Sequence, residues 1–360
     1  MVSAKPVLTG FQPADLETLL AEWGEPKFRA RQILEWVYRK RCRDFAEMTN
    51  LGRPLRERLA SHFDLRALAL ARHQGSADTT RKLLFRLRDG RFVESVVIPA
   101  NPALYGGRAD RRTICVSSQV GCAYDCKFCA SGLAGFTRNL TPDEIVGQVL
   151  EAESLDAERI DNIVFMGMGE PLANLRNLLS AIQILNAEWG VGIGARHMTI
   201  STSGLAPQIE RLAEQPLQVR LAISLHGATD EVRDRIMPVN QKYPLARLFD
   251  ALRHYQEIKK QKVTFEYILI EDVNDALDQA SILANRARSL NAKVNLIPYN
   301  TVEGLPWKRP SEERQEQFLK LLRAAGVQAT LRREKGHDID AACGQLRLKE
   351  ERGGLIAEAV

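Results

Sequence analysis

The spacing of apolar positions changes along the chain. In PADLETLLAEWG they return every three or four residues and stop at Gly24, and KFRARQILEWVYRK sets Phe28, Ile33, Trp36 and Val37 near one face. Short helices are therefore predicted across residues 13–63. After LGRPLRERLASHF the period shortens, and RKLLFRLRDGRFVESVVIP (81–99) reads as two strands around Asp89-Gly90. ANPALYGGRAD follows as a loop. From residue 113 onward short apolar runs alternate with amphipathic ones. The runs are TICVSS (113–118), NIVFMGM (162–168), HMTISTS (197–203), VRLAISLH (219–226), VTFEYILI (263–270) and VNLIPY (294–299). Helical patterns such as DEIVGQVLEAESL, LRNLLSAIQILNAEW, LARLFDALRHYQEIKK and ALDQASILANRARSL lie between them, and a last strand QATLRRE (328–334) precedes HDIDAACGQL. Six βα units predict an α/β fold with a parallel sheet, closed or curved, and functional groups at the C-terminal strand ends. No internal repeat is present.

A chain of 360 residues has room for one large α/β domain and a small accessory domain. Its 45% hydrophobic and 26% charged residues are those of a globular protein. The first twenty residues hold no apolar h-region, and no stretch of about 18 uncharged apolar residues occurs, so a cytoplasmic protein without a membrane segment is expected. A disulfide framework is not expected there. The net charge of +5 changes the picture only through its distribution: residues 27–58 hold ten Lys or Arg against four acids. That basic segment, with Phe28, Trp36 and Tyr38 interleaved, is the expected contact for a polyanion.

Four of the six cysteines fall between residues 115 and 129 in CVSSQVGCAYDCKFC. Cys122, Cys126 and Cys129 are spaced x3 and x2, interrupted by Asp125 and Lys127, and flanked by Gly121 and Gly132. Buried hydrophobic cysteines would not carry those charges, and structural zinc usually takes four ligands in two close pairs. An iron–sulfur cluster held at three corners, with one iron open, fits the spacing better. The loop follows the first strand of the βα array. Gly167-Met168-Gly169-Glu170-Pro171 follows the second, and by itself is an ordinary strand-to-helix turn. Ser201, Ser224-Leu225-His226 and Asn300 end later strands on the same side, where any one of them could be a cap. Cys42 has no motif around it, and Cys343 alone reads as a buried thiol.

The Cys-x3-Cys-x2-Cys loop after strand one resembles the radical S-adenosylmethionine (SAM) enzymes. FRARQILEWVYRK, ICVSSQVGC, GMGEPLAN, SLHGATDEVRDRIMPVNQKYPL and DIDAACGQL, spread over nearly the whole chain, resemble the RlmN/Cfr family of radical SAM RNA methyltransferases within it. The resemblance implies a partial (β/α)6 barrel (108–340) behind a helical, RNA-binding accessory domain (1–75) and a β-hairpin linker (76–107), with a C-terminal segment (341–360). It implies one [4Fe-4S] cluster on Cys122, Cys126 and Cys129, and two SAM per turnover contacted by Gly169, Glu170, Ser201, Ser224, Leu225, His226 and Asn300. Cys343 would carry a methyl group as S-methylcysteine, Cys115 would resolve a covalent protein–RNA adduct by forming a disulfide with it, and Glu94 would accept a proton. Taken alone, Glu94 sits in a strand whose alternation places it in water, and the connection from Glu94 to Cys115 is longer than the family pattern.

The implied substrates are 23S ribosomal RNA and transfer RNA, methylated at carbon 2 of an adenine by a monomer served by an electron-donating reductase. Adenine carbon 2 is electron-poor and no nucleophile for a sulfonium methyl, whereas a thiolate is a good one. That is why two kinds of cysteine are needed. Methylation at carbon 8, a radical SAM enzyme with a non-RNA substrate, and a zinc-containing RNA-binding module without catalysis are the alternatives.

Overall fold

The computed structural model describes residues 5–76, 80–99, 111–133, 135–156, 158–302, 304–332, 346–347 and 350. Three helices, Pro13–Glu22, Phe28–Tyr38 and Arg53–His62, open the chain. The first begins with Pro13 and a reciprocal cap between Gln12 and Asp15, which satisfies the otherwise orphaned amides of its first turn. Ile33, Leu34, Val37 and Tyr38 of the second helix are buried, but Phe28 is 59% exposed. It therefore leaves the apolar face expected for it: in the first helical turn its ring points to solvent under the Arg29 guanidinium.

The strands are β1 (Leu68–Gly75), β2 (Arg81–Leu87), β3 (Phe92–Pro99), β4 (Arg112–Cys115), β5 (Gln119–Gly121), β6 (Phe136–Asn139), β7 (Asn162–Phe165), β8 (Met198–Thr202), β9 (Arg220–Ser224), β10 (Thr264–Leu269), β11 (Lys293–Pro298) and β12 (Ala329–Leu331). Ten form one sheet in the order β1-β2-β3-β4-β7-β8-β9-β10-β11-β12, and β5 pairs with β6 apart from it. Pairing is antiparallel from β1 to β4 and parallel from β4 onward. Among the described residues the sheet ends at β1 and β12, so the barrel they form is open. Between the parallel strands run helices including Pro142–Asp156, Leu175–Asn186, Leu245–Lys259 and Leu277–Ser289. The expected alternation is present, and each strand stops short of its apolar run because the last residues turn into site loops.

The expected hairpin over 81–99 is part of a larger antiparallel extension. β1 is a third strand, lying in a segment expected to be helical; it has a bulge between Leu70 and Arg72 and pairs with β2. The N-terminal helices are fastened to the helix Pro142–Asp156. Arg41 pairs with Glu153, and Arg66 with Glu151 at 3.1 Å. Buried Tyr38 donates to Phe11 O at 3.4 Å.

Candidate active site

The segment after β4 and the turn after β7 interlock. Gly167 and Gly169 let the two backbones meet: a Cβ on Gly167 would lie 2.8 Å from Ser117 N, and one on Gly169 would lie 2.4 Å from Gln119 Cβ. Gly169 also has φ +94°, a conformation that glycine adopts without strain. Ser118 N donates to Met168 O at 2.9 Å, and Glu170 N donates to Gln119 Oε1 at 2.8 Å. The Glu170 carboxylate is buried and accepts from Leu172 N at 3.0 Å, Ser203 N at 2.7 Å and Ser203 Oγ at 2.8 Å. Burial pushes its pKa up against those donors. The Thr202 side chain also lies within hydrogen-bonding reach of this carboxylate, so its acceptor sites are largely engaged by protein donors.

The cysteine loop rests on this turn. Lys127 N donates to Ile236 O at 2.9 Å and Trp307 Nε1 to Lys127 O at 2.7 Å, which pins the loop from both sides. Cys122 and Cys126 each lie in the electrostatic field of Cys129, so the fold brings the three thiols together beside Glu170. Burial pushes Cys122 up to about 12 and Cys126 well above the usual thiol value, and neighbouring Cys129 adds to both. Cys122 and Cys126 in this setting stay protonated until a metal's positive charge replaces the protons. Among the described residues no three metal-ligating side chains converge on a single-ion site.

Strand register places the remaining candidates on one face. Lys82, Val96, Cys115, Val164 and Thr199 pair successively across β2, β3, β4, β7 and β8. Because side chains alternate along a strand, Glu94, two residues from Val96, shares this face with Cys115. So do Ser201 and, through Ala222, Ser224. Glu94 is only 2% exposed. This overturns the expectation from alternation. Lys82 Nζ, fully buried, lies 3.0 Å from Glu94 Oε2, and Arg347 N donates to Glu94 Oε1 at 2.6 Å. The direct β3–β4 pairing holds Glu94 in register with the Val96–Cys115 pair whatever the length of the connection.

At the strand ends Ser201 Oγ and Ser224 Oγ are 3.3 Å apart, and Leu225 N donates to Glu266 O at 3.0 Å. His226 has φ +54°, and its Nδ1 accepts from Ile268 N at 3.0 Å, which leaves the proton of the neutral ring on Nε2. Burial, with Arg233 nearby, lowers its pKa to about 3. Its ring meets Phe128 of the cysteine loop edge-on at 5.0 Å. Asn300 Oδ1 accepts from Arg309.

Comparison with known proteins decides the family. Residues 116–280 match the model of the radical SAM superfamily, and residues 7–65 match that of the ribosomal RNA large subunit methyltransferase N-terminal domain. A protein of Akkermansia muciniphila named probable dual-specificity RNA methyltransferase RlmN is 55% identical over 96% of both chains. The dual-specificity RNA methyltransferase RlmN of Campylobacter fetus is 47% identical over 91% of this chain and 95% of its own. This chain belongs to the RlmN family. The crystal structure of a radical SAM methyltransferase from Sphaerobacter thermophilus, 44% identical, superposes with a TM-score of 0.89 over 94% of this chain and 98% of that one. As an RlmN-family radical SAM enzyme, the protein is a SAM-dependent RNA methyltransferase.

The residues present fit the cluster and SAM that this superfamily uses. The soft thiolate donor set suits iron–sulfur ligation. Tyr299 Oη, buried beside Cys129, is approached by the Val302 backbone N–H, its own proton has no acceptor among the described residues, and a donor there suits a sulfur acceptor. Cys343 lies outside the described residues. Sequence reasoning missed Lys82, Tyr299 and Arg233. A lysine in a strand and an arginine in a short helix carry no local mark of burial, since the groups that hold them come from other elements.

Proposed function

We propose that the protein methylates carbon 2 of a specific adenine in 23S rRNA and in tRNA through an S-methylcysteine intermediate. The observation that carries this reading is the shared face of the sheet, where Glu94 and Cys115 sit in register beside the Ser201–Ser224 strand ends and the three-cysteine loop. In this reading Cys122, Cys126 and Cys129 hold one [4Fe-4S] cluster. Gly169, Glu170, Ser201, Ser224, Leu225, His226 and Asn300 hold SAM. Together these two supply a 5′-deoxyadenosyl radical when an electron-donating reductase provides the electron.

The chain's own residues do the rest. The Cys343 thiolate would take the methyl group of a first SAM, and that S-methyl group would lose a hydrogen atom to the radical that a second SAM supplies. The resulting carbon radical adds to adenine carbon 2. The surplus electron of the adduct would return to the oxidised cluster, and the carbon 2 proton passes to Glu94. Cys115 attacks the Cys343 sulfur, so that the carbon–sulfur bond breaks, a disulfide forms, and the released carbon gains a proton to become the methyl group. Arg347, four residues after Cys343, donates its backbone N–H to Glu94, which supports the C-terminal segment lying against this face. The N-terminal segment 1–75 supplies phosphate contacts, and the adenine is drawn out of its stack at a cost of roughly a few kcal/mol.

The test is a pair of variants assayed with both RNAs, with nucleosides separated by liquid chromatography and mass spectrometry. Wild-type enzyme is expected to yield 2-methyladenosine. Cys343→Ala is expected to yield no methylated RNA with its cluster intact. Cys115→Ala should stop at a denaturant-resistant protein–RNA conjugate that nuclease trims. 8-Methyladenosine from the wild type would overturn the assignment to carbon 2, and free methylated RNA at normal yield from either variant would overturn the roles of the cysteines.

A further inference from the structure

Arg233, on the helix Asp230–Ile236, heads the fully buried side chains of the described residues by volume. Its guanidinium donates from Nε to Asn240 Oδ1 at 3.0 Å, from Nη1 to Ser224 O at 3.3 Å and Leu225 O at 2.5 Å, and from Nη2 to Ser203 O at 2.9 Å. All four acceptors are neutral oxygens. Asp230 and Asp234 are bridged to it by Asn240, whose amide donates to both at 2.9 Å. A buried charge costs several kcal/mol unless an opposite charge offsets it; among the described residues no carboxylate hydrogen-bonds this one directly, and Asp230 and Asp234 act on it from beyond Asn240. Burial lowers the guanidinium pKa to about 10, so it stays cationic at neutral pH.

Two features say what the charge faces. Cys126 lies in its field, and Lys127 N–H, bonded to Ile236 O at 2.9 Å, pins the cysteine loop to the end of the same helix. The three backbone carbonyls it grips follow β8 and end β9, beside Ser201, Ser224 and His226. Gly227 makes room for it: a Cβ there would lie 2.8 Å from Arg233 Cγ.

We propose that Arg233 is a positioning residue that fixes positive charge behind the cluster corner held by Cys126, raising the cluster's reduction potential, while its fork sets the spacing of the strand ends that contact SAM. The proposal rests on the assignment of the cluster to Cys122, Cys126 and Cys129. An added electron makes a thiolate-bound cluster more anionic, and a buried cation that Asp230 and Asp234 offset only across Asn240 stabilises that state. Charge and fork are separable, because lysine keeps the first and loses the second.

The experiment reconstitutes wild type, Arg233→Met and Arg233→Lys with iron and sulfide under anaerobic conditions. Each is titrated with dithionite and redox mediators, the reduced cluster is followed by electron paramagnetic resonance, and SAM affinity is measured by equilibrium dialysis. Arg233→Met is expected to lower the reduced-to-oxidised ratio about tenfold at the wild-type midpoint, a downward shift of about 59 mV for one electron. Arg233→Lys is expected to stay within about threefold of the wild-type ratio but to bind SAM about tenfold more weakly. An unchanged midpoint in Arg233→Met with full cluster occupancy overturns the proposal. Where Arg233→Met does not fold, the lysine variant decides: wild-type SAM affinity overturns the proposal, and weakened binding at the wild-type midpoint supports it. A wild-type protein that takes up no cluster would overturn the ligand assignment instead.

Discussion

In the N-terminal region cations sit at the surface against rings and helix acids. Lys40 lies 3.8 Å over the Trp36 ring, Arg58 lies 4.4 Å over Trp23, and Arg53 pairs with Glu57 one helical turn away. On the inner side of the sheet and behind it the charges are buried, each in a fixed position: Lys82 on Glu94, Glu170 on Ser203, Arg233 on three carbonyls. The two regions hold similar residue types with different consequences. A surface cation is hydrated and contributes fractions of a kcal/mol, whereas a buried one becomes costly as soon as a partner is removed. The basic segment can therefore vary in detail while keeping its charge, and the inner face cannot.

The largest expected effect is on the inner side. Cys126→Ala should lose iron retention and SAM cleavage altogether while circular dichroism shows a folded chain, because the loop lies outside the sheet; wild-type deoxyadenosine production would remove the cluster assignment. Next, Lys82→Met should destabilise the fold by about 3–5 kcal/mol in urea melts, since it strands a buried carboxylate. A loss below about 1 kcal/mol would place this pair with the surface ones and erase the contrast.

A pH experiment sharpens the same contrast. The folded pKa of His226 is about 3 against about 6.5 unfolded, so the unfolded chain binds an extra proton between these values and stability falls as pH drops through that window. Between pH 7 and pH 5 this amounts to about 2 kcal/mol, and His226→Gln should flatten the slope by that amount in the cofactor-free protein. A parallel slope in the variant would show that the ring is not held neutral.

The smallest effects belong to the basic segment. Arg41 and Arg39 are already engaged by Glu153 and Glu188 O, so exposed Lys27 and Arg31 make the better probes. Their replacement by Gln should leave stability within about 0.5 kcal/mol and flatten the salt dependence of RNA binding by about one unit per lost phosphate contact. An unchanged slope would show that these charges serve only to solvate the helix.

What could be read beforehand follows the range of the interactions involved. The parallel strands and their helices were legible because burial on both faces gives continuous apolar runs, as in VTFEYILI. The cysteine spacing and the Gly167–Pro171 turn are local chemistry and could be read too. β1 was not, because LALARHQG buries only Leu68 fully and so shows no alternation. Phe28 fitted a helical period, yet the first turn faces outward. Glu94 looked solvated because the ion that permits its burial, Lys82, comes from another strand, and Arg233 gave no local sign because its partners are three backbone carbonyls and one amide that only the packing of strand ends on its helix brings around it.

The bulged first strand has a consequence for how copies of this protein meet. A ten-stranded open sheet ends in two rows of backbone groups that could template pairing with another chain. At one end the kink between Leu70 and Arg72 breaks the flat register, and Arg72, paired with Glu350 at 2.9 Å, sets charge along the rim. At the other end β12 is three residues long. Among the described residues, both rims thus interrupt the flat run of backbone groups that a continuous intermolecular sheet would need.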